Sequence, residues 1–219
     1  MRSTSRLSAI LLTWLFFAAA CTSALAQRAP THVQDASALK PPPGSHIAIV
    51  EFADLQCPAC ALANPTLMAA AAQYKIPWVR HELIIPIHNW SRNASLNARW
   101  FDKQGKDLGN QYRNEVFANQ SSIFNPMMLR QFTERFAQSH GIALPFDMDP
   151  GGRLAAEVEA DNQLSRRTGI DQTPTIFIVI SSSRGVRYQE VLDRNQLYQM
   201  IDAALAELKQ DSPPKHASH

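Results

Sequence analysis

Cysteine and glycine are both scarce. Three cysteines in 219 residues are too few to staple a disulfide-dense miniature fold, and eight glycines exclude a collagen-like repeat. Charge is sparing as well: 18% of residues are charged, and 21 basic against 19 acidic side chains leave a net charge of +2. That excess is Arg2 and Arg6, inside a leading segment 1–26 that holds no acid, so the remaining chain is balanced. No basic patch is left to mark a nucleic-acid partner or an anionic membrane surface. A 45% hydrophobic share excludes disorder, and the length suffices for one or two domains with a sizeable core. No internal repeat or low-complexity tract breaks the chain.

The first segment reads as an address. Arg2 and Arg6 precede an apolar run from Leu7 to Ala20, and Ala24-Leu25-Ala26 supplies small residues at the two positions a signal peptidase reads. The pattern describes a secretory signal peptide (residues 1–26) cut before Gln27. Two alternatives stay open: an uncleaved anchor, since Leu7 to Ala26 could just span a bilayer, and lipidation at Cys21. Loss of the segment leaves Cys57 and Cys60 as a lone pair in a compartment where disulfides persist.

Residues 27–45 read as a polar, stiff linker ending in Pro41-Pro42-Pro43-Gly44. His46 to Phe52 reads as a buried strand, Cys57 to Tyr74 as an Ala-rich helix kinked at Pro65, and Trp78 to Ile85 as a second strand stopped by Pro86. From about 87 to 170 the pattern is helical, with Asn125 capping a helix that begins at Pro126. Thr175 to Ile180 returns to an apolar strand, Ser181 to Gly185 turns, and Val186 to Gln189 alternates as an edge strand. Asp193 and Gln196 form a capping box for a closing helix, and the tail 211–219 should fray. A parallel β-α-β unit and an antiparallel β-β-α unit thus share one sheet, giving an α/β domain over 46–210 with an inserted helical block.

Cys57-Pro58-Ala59-Cys60 is the chemical signal. Thiol–disulfide exchange needs an attacking thiolate and a second thiol near enough to resolve the mixed disulfide. At a helix start, Cys57 meets the positive dipole end and free N–H groups, which favour its thiolate, while Cys60 sits one turn in. Pro58 costs little there, because that N–H has no intrahelical partner. A structural disulfide would close a very small loop and constrain little. A zinc site lacks two further ligands at metal spacing, and a haem attachment lacks His at residue 61. Redox use remains, with a non-enzymatic copper carrier on the same two cysteines as a rival from another class.

Ile49-Val50-Glu51-Phe52-Ala53-Asp54-Leu55-Gln56-Cys57-Pro58-Ala59-Cys60 resembles the first strand and active site of DsbA-like thiol:disulfide oxidoreductases of the thioredoxin fold. Gly169-Ile170-Asp171-Gln172-Thr173-Pro174-Thr175 resembles their second hallmark, a loop ending in a cis-proline. The resemblance implies a thioredoxin-like fold with a DsbA-type helical insertion and no bound cofactor or metal. It implies Cys57 as nucleophile, Cys60 as resolving cysteine and Pro174 as the proline packed on the disulfide. Thr173 would pair with an extended substrate peptide, with Pro58 and Ala59 bordering the same surface. Glu51, six residues before Cys57, matches a buried acid that accepts the Cys60 proton.

Ala59 departs from the His or Tyr frequent between the cysteines of such oxidants, which leaves the helix N-terminus as the main expected support of the thiolate. The implied partners are cysteine-containing exported proteins and a membrane redox partner of the DsbB or VKOR type, with the chain a periplasmic monomer. A reductase running the chemistry backwards is the enzymatic alternative. His88 and Trp90 read as capping or packing residues near the active-site side, and Met127-Met128 as one core and one surface position.

Overall fold

The computed structural model describes residues 29–211; the signal-peptide reading and the tail beyond residue 211 lie outside that range. Its sheet is built from β1 (Ile47–Ala53), β2 (Trp78–Glu82), β3 (Thr175–Ser182) and β4 (Gly185–Glu190). The order is β2-β1-β3-β4, with β1 parallel to β2 and β3 antiparallel to both β1 and β4. Helix α1 (Pro58–Tyr74) crosses from β1 to β2, and α6 (Leu197–Asp211) follows β4. Between β2 and β3 lie α2 (Ser91–Gln104), α3 (Lys106–Asn119), α4 (Pro126–Ser139) and α5 (Arg153–Thr168). The architecture is the α/β arrangement expected from the sequence, and α1 continues through Pro65 to Tyr74.

Strand alternation divides the core. Ile47 and Ile49 of β1 face α1 and α6 in a cluster with Leu67, Ile178, Leu197 and Ile201. Ala48, Val50 and Phe52 face the opposite layer with Phe177, Val179 and Ile170. Glu51 has the parity of the first set, so a carboxylate enters an otherwise apolar interface under α1. A third cluster fills the helical block, where Phe101, Tyr112 and Phe136 pack with ring centroids 4.8–5.2 Å apart. Cys57 and Cys60 belong to this third cluster, so the block and the active-site turn share one core.

Several boundaries differ from the sequence reading, at β2 because side chains outcompete the backbone ladder and at β3 because the ladder itself runs further. β2 ends at Glu82 and not at Ile85: Leu83 N–H still donates to Ala53 O at 2.9 Å, but beyond it Ile84 N–H donates to Asn162 Oδ1 at 2.9 Å and Ile85 N–H to Asp54 Oδ2 at 2.7 Å. β3 runs on to Ser182, shortening the turn to two residues. Asp193 caps a 3-10 turn at Arg194–Gln196 by accepting from Asn195 N–H at 2.9 Å, and α6 begins only at Leu197. Asn125 does cap α4, its Oδ1 accepting from Met128 N–H at 2.9 Å.

The segment read as a linker is docked on the domain. Leu39 is fully buried against the second face of the sheet, Gln34 N–H donates to Thr168 O at 3.0 Å, and Thr31 donates twice to the Glu190 carboxylate. Gly169 makes this possible. Its φ of +82° ends α5 in the left-handed region, and a Cβ there would stand 2.7 Å from His32 O.

Candidate active site

The turn between β1 and α1 is held by side chains from three directions. Asp54 is fully buried; its Oδ1 accepts from Gln56 N–H at 2.7 Å, its Oδ2 lies 3.0 Å from His88 Nδ1, and its backbone oxygen accepts from Cys57 N–H at 3.0 Å. Gln56 Oε1 accepts from Trp90 and Ser91 N–H at 2.8 and 3.1 Å, capping α2 from outside the helix. Gln120 Nε2 donates to Leu55 O and Cys57 O at 2.9 and 3.1 Å. His88 and Trp90 therefore brace the turn and pack, with Trp90 only 1% exposed.

Cys57 is the N-cap of α1, with extended backbone, and Pro58 is the first helical residue. Both cysteines are free thiols, Cys60 is fully buried, and Cys57 keeps 8% exposure beside exposed Pro58 and Ala59. The Thr173–Pro174 peptide bond is cis, and Cys57 Sγ donates to Thr173 O across 3.5 Å. The structure thus brings together Cys57, Cys60 and Thr173, residues 116 apart in sequence in the case of Cys57 and Thr173. Met127 is exposed and Met128 packs on the helical core, as expected of a surface-and-core pair.

The two thiols are driven apart in acidity. The Cys57 pKa falls to about 5, chiefly because the Cys60 thiol donates to it, with a Thr173 side-chain hydrogen bond and the Cys60 and Ala59 N–H groups adding against burial. The Cys60 and Ala59 N–H groups are those of the helix start that the sequence offered as support, and the neighbouring thiol adds to them. Burial pushes Cys60 far the other way, reinforced by its hydrogen bond to Cys57 and by the negative charges of Glu51 and Cys57.

Glu51 lies completely buried beneath, its Oε2 accepting from Trp78 Nε1 at 3.0 Å while Oε1 has no hydrogen-bond partner. Burial raises its pKa to about 7, opposed by Arg80 and Trp78. Arg80 stands opposite Glu51 in the β1–β2 register, with its guanidinium 3.5 Å over the Trp78 ring. Its Nη2 donates to Asn64 and Asn114 Oδ1, both at 2.9 Å, and those two residues line a groove of about 800 Å³ between α1, α3 and α4.

Among the described residues, no group of three or more His, Cys, Asp or Glu is placed to hold a metal ion. No described helix is long and apolar enough to cross a membrane.

A family model described as Thioredoxin matches residues 43–203. The chain belongs to the thioredoxin family. Solved structures similar to this thioredoxin-family chain include the thiol-disulfide exchange protein alpha-DsbA2 from Wolbachia pipientis, at 17% identity and a TM-score of 0.58, covering 75% of this chain and 84% of that one. BdbD from Bacillus subtilis in its oxidised form gives 18% identity and a TM-score of 0.60, over 80% and 97% of the two chains. ScsC from Proteus mirabilis in a transitional conformation gives 19% and 0.57, over 76% and 71%. These likenesses establish a fold of the DsbA type. No curated protein gives a significant match.

Arg80 and Gln120 escaped the sequence reading of this thioredoxin-family chain. Arg80-His81-Glu82 inside the second strand was a usable signal, since three consecutive polar, titratable side chains within a sheet require partners. Gln120 carried none.

Proposed function

We propose that the protein is an exported thiol:disulfide oxidoreductase working as a DsbA-type oxidant of cysteine-containing proteins. One observation carries this reading: a Cys57 thiol drawn down to about 5 stands over a buried Cys60 whose acidity is suppressed, at the mouth of the Thr173–Pro174 loop. A stabilised thiolate favours the reduced pair and makes the disulfide more oxidising. The family match supports the fold this chemistry uses, and the basic, apolar, A-x-A pattern of residues 1–26 supports export. A periplasmic thioredoxin-like protein from Salmonella enterica shares the fold at 17% identity.

In the oxidising direction a substrate thiolate attacks Cys57 Sγ. The Cys57–Cys60 bond breaks, and Cys60 leaves with the electron pair and takes a proton, for which Glu51 beneath it is the donor. A second substrate thiolate then attacks the substrate sulfur of the mixed disulfide and expels Cys57 as a thiolate. The substrate gains one disulfide and the enzyme two electrons, which a membrane partner of the DsbB or VKOR type removes. Thr173 holds the substrate backbone in extended pairing beside exposed Pro58 and Ala59.

A glutathione titration of the purified mature domain tests the direction. A reduction potential above about −180 mV supports the oxidant, whereas a value near about −270 mV assigns the same fold to a reductase. Absence of exchange with a dithiol peptide rejects both.

A further inference from the structure

We propose that Arg194 is a positioning residue for the exchange reaction: by donating to the carbonyl of Ala59 it polarises the peptide unit whose N–H belongs to the helix start capped by Cys57, and so supports the thiolate that the Ala59 side chain cannot reach. The inference rests on the reading of Cys57 as the nucleophile.

Arg194 comes from the far end of the chain. It opens the 3-10 turn between β4 and α6, held in place by the Asp193 cap, and its Nη1 donates to Ala59 O at 3.1 Å across 135 positions of sequence. Ala59 O and Cys60 N–H are the two ends of one planar amide. The Cys60 N–H donates to Cys57 O at 3.1 Å, and as a first-turn N–H it opens toward the side chain of the N-cap residue Cys57, whose pKa it helps to lower. A cation bound at the oxygen end withdraws electron density and makes the N–H end a better donor, since hydrogen bonds in a chain polarise one another. The Ala59 oxygen has two lone pairs, so this bond adds to the helical ladder without replacing it. Arginine suits the position because its guanidinium stays charged at every working pH.

Sequence inspection of the Pro58-Ala59 dipeptide finds no charge to support Cys57. Tertiary closure supplies one through the backbone, from a loop that no motif includes.

The test uses reduced full domain: wild type, Arg194→Gln and Arg194→Lys, with Cys57→Ser to assign the thiolate absorbance. Arg194→Gln should raise the titration midpoint of Cys57 and slow its alkylation near pH 5 about two- to fivefold, the range of a single partly exposed charge acting through a helix end. The reduction potential should move in the reducing direction by the corresponding factor in the exchange equilibrium, and Arg194→Lys should restore part of both effects. A structural role alone would shift the unfolding midpoint and leave the thiolate titration in place. An unmoved titration in Arg194→Gln, or equal shifts in the Gln and Lys variants, overturns the proposal. If wild type exchanges no disulfides yet its Cys57 midpoint responds to Arg194→Gln, the functional reading falls while the action of Arg194 on Cys57 stands.

Discussion

Glu51 occupies a place where its charge is costly. Burial holds its pKa at about 7 against an ordinary 4.5. Between those values the folded protein keeps a proton that the unfolded chain has released, so stability falls as pH rises through the window and levels off above it. The full cost is on the order of 3 kcal/mol. Glu51→Gln should therefore be nearly neutral near pH 4.5 and stabilising above about pH 7, as read by denaturant unfolding across pH. The same variant should slow closure of a mixed disulfide by Cys60, the reverse of the first oxidising step, because the group that exchanges a proton with Cys60 is gone; equal closure rates would assign Glu51 a structural role only.

The two cysteines make a sharper pair. Cys57→Ser should abolish exchange, and Cys60→Ser should accumulate mixed disulfides through Cys57, visible on non-reducing gels. Alkylation at mildly acidic pH should label Cys57 first, and prior labelling of Cys60 would reverse the assignment. These positions were legible in sequence because chemistry-bearing residue types stand at fixed offsets within one strand–turn–helix. Arg194 and Gln120 were not, because a single polar residue in a loop declares its partner only when distant elements close around it.

At the scale of elements, β2 shows how tertiary contacts revise a pattern. The sequence predicted a strand to Ile85, but side-chain acceptors take the amides of Ile84 and Ile85, and a buried ionic knot forms at Glu82, where the strand ends. Arg113 donates to Glu82 and Asp102, each with contacts at 2.8 Å, and Arg99 bridges Glu82 to Asp161. This knot fastens β2 to α2, α3 and α5. Glu82→Gln should destabilise by less than the about 3–5 kcal/mol of a wholly unpaired buried charge, since Arg113 keeps Asp102 and Arg99 keeps Asp161, and pairing it with Arg113→Met should cost less than the sum of the single changes. A double-mutant cycle in urea measures both. Gly109 belongs to the same knot, for a Cβ there would meet the Asp102 carboxylate at 1.8 Å. Helix existence was readable from periodicity and caps, while this close α2–α3 approach was not, because a helical glycine has many uses.

Gly169→Ala is the corresponding test of the docked N-terminal segment. Left-handed backbone costs a residue with a Cβ about 1–2 kcal/mol, and the contact with His32 O adds to that. Amide exchange at Gln34, whose N–H is tied to Thr168 O, should accelerate before exchange in β1 does. If the β1 amides loosen first, the segment is not what Gly169 holds.

The whole molecule closes late. β1, the first strand made, lies at the centre of the sheet, and its antiparallel partner β3 begins only at Thr175. Thr31 waits longer still, for Glu190, 159 residues on. A ribosome delivers the chain from its N-terminus, so most of the sequence must emerge before the central strand gains both neighbours. Cys57 and Cys60 are present through that interval without Thr173, and without Arg194. Nascent chains arrested near residue 170 should therefore be protease-sensitive, with both thiols open to the same alkylating reagent. The late arrival of the second half is what turns two equivalent nascent thiols into one nucleophile and one concealed partner.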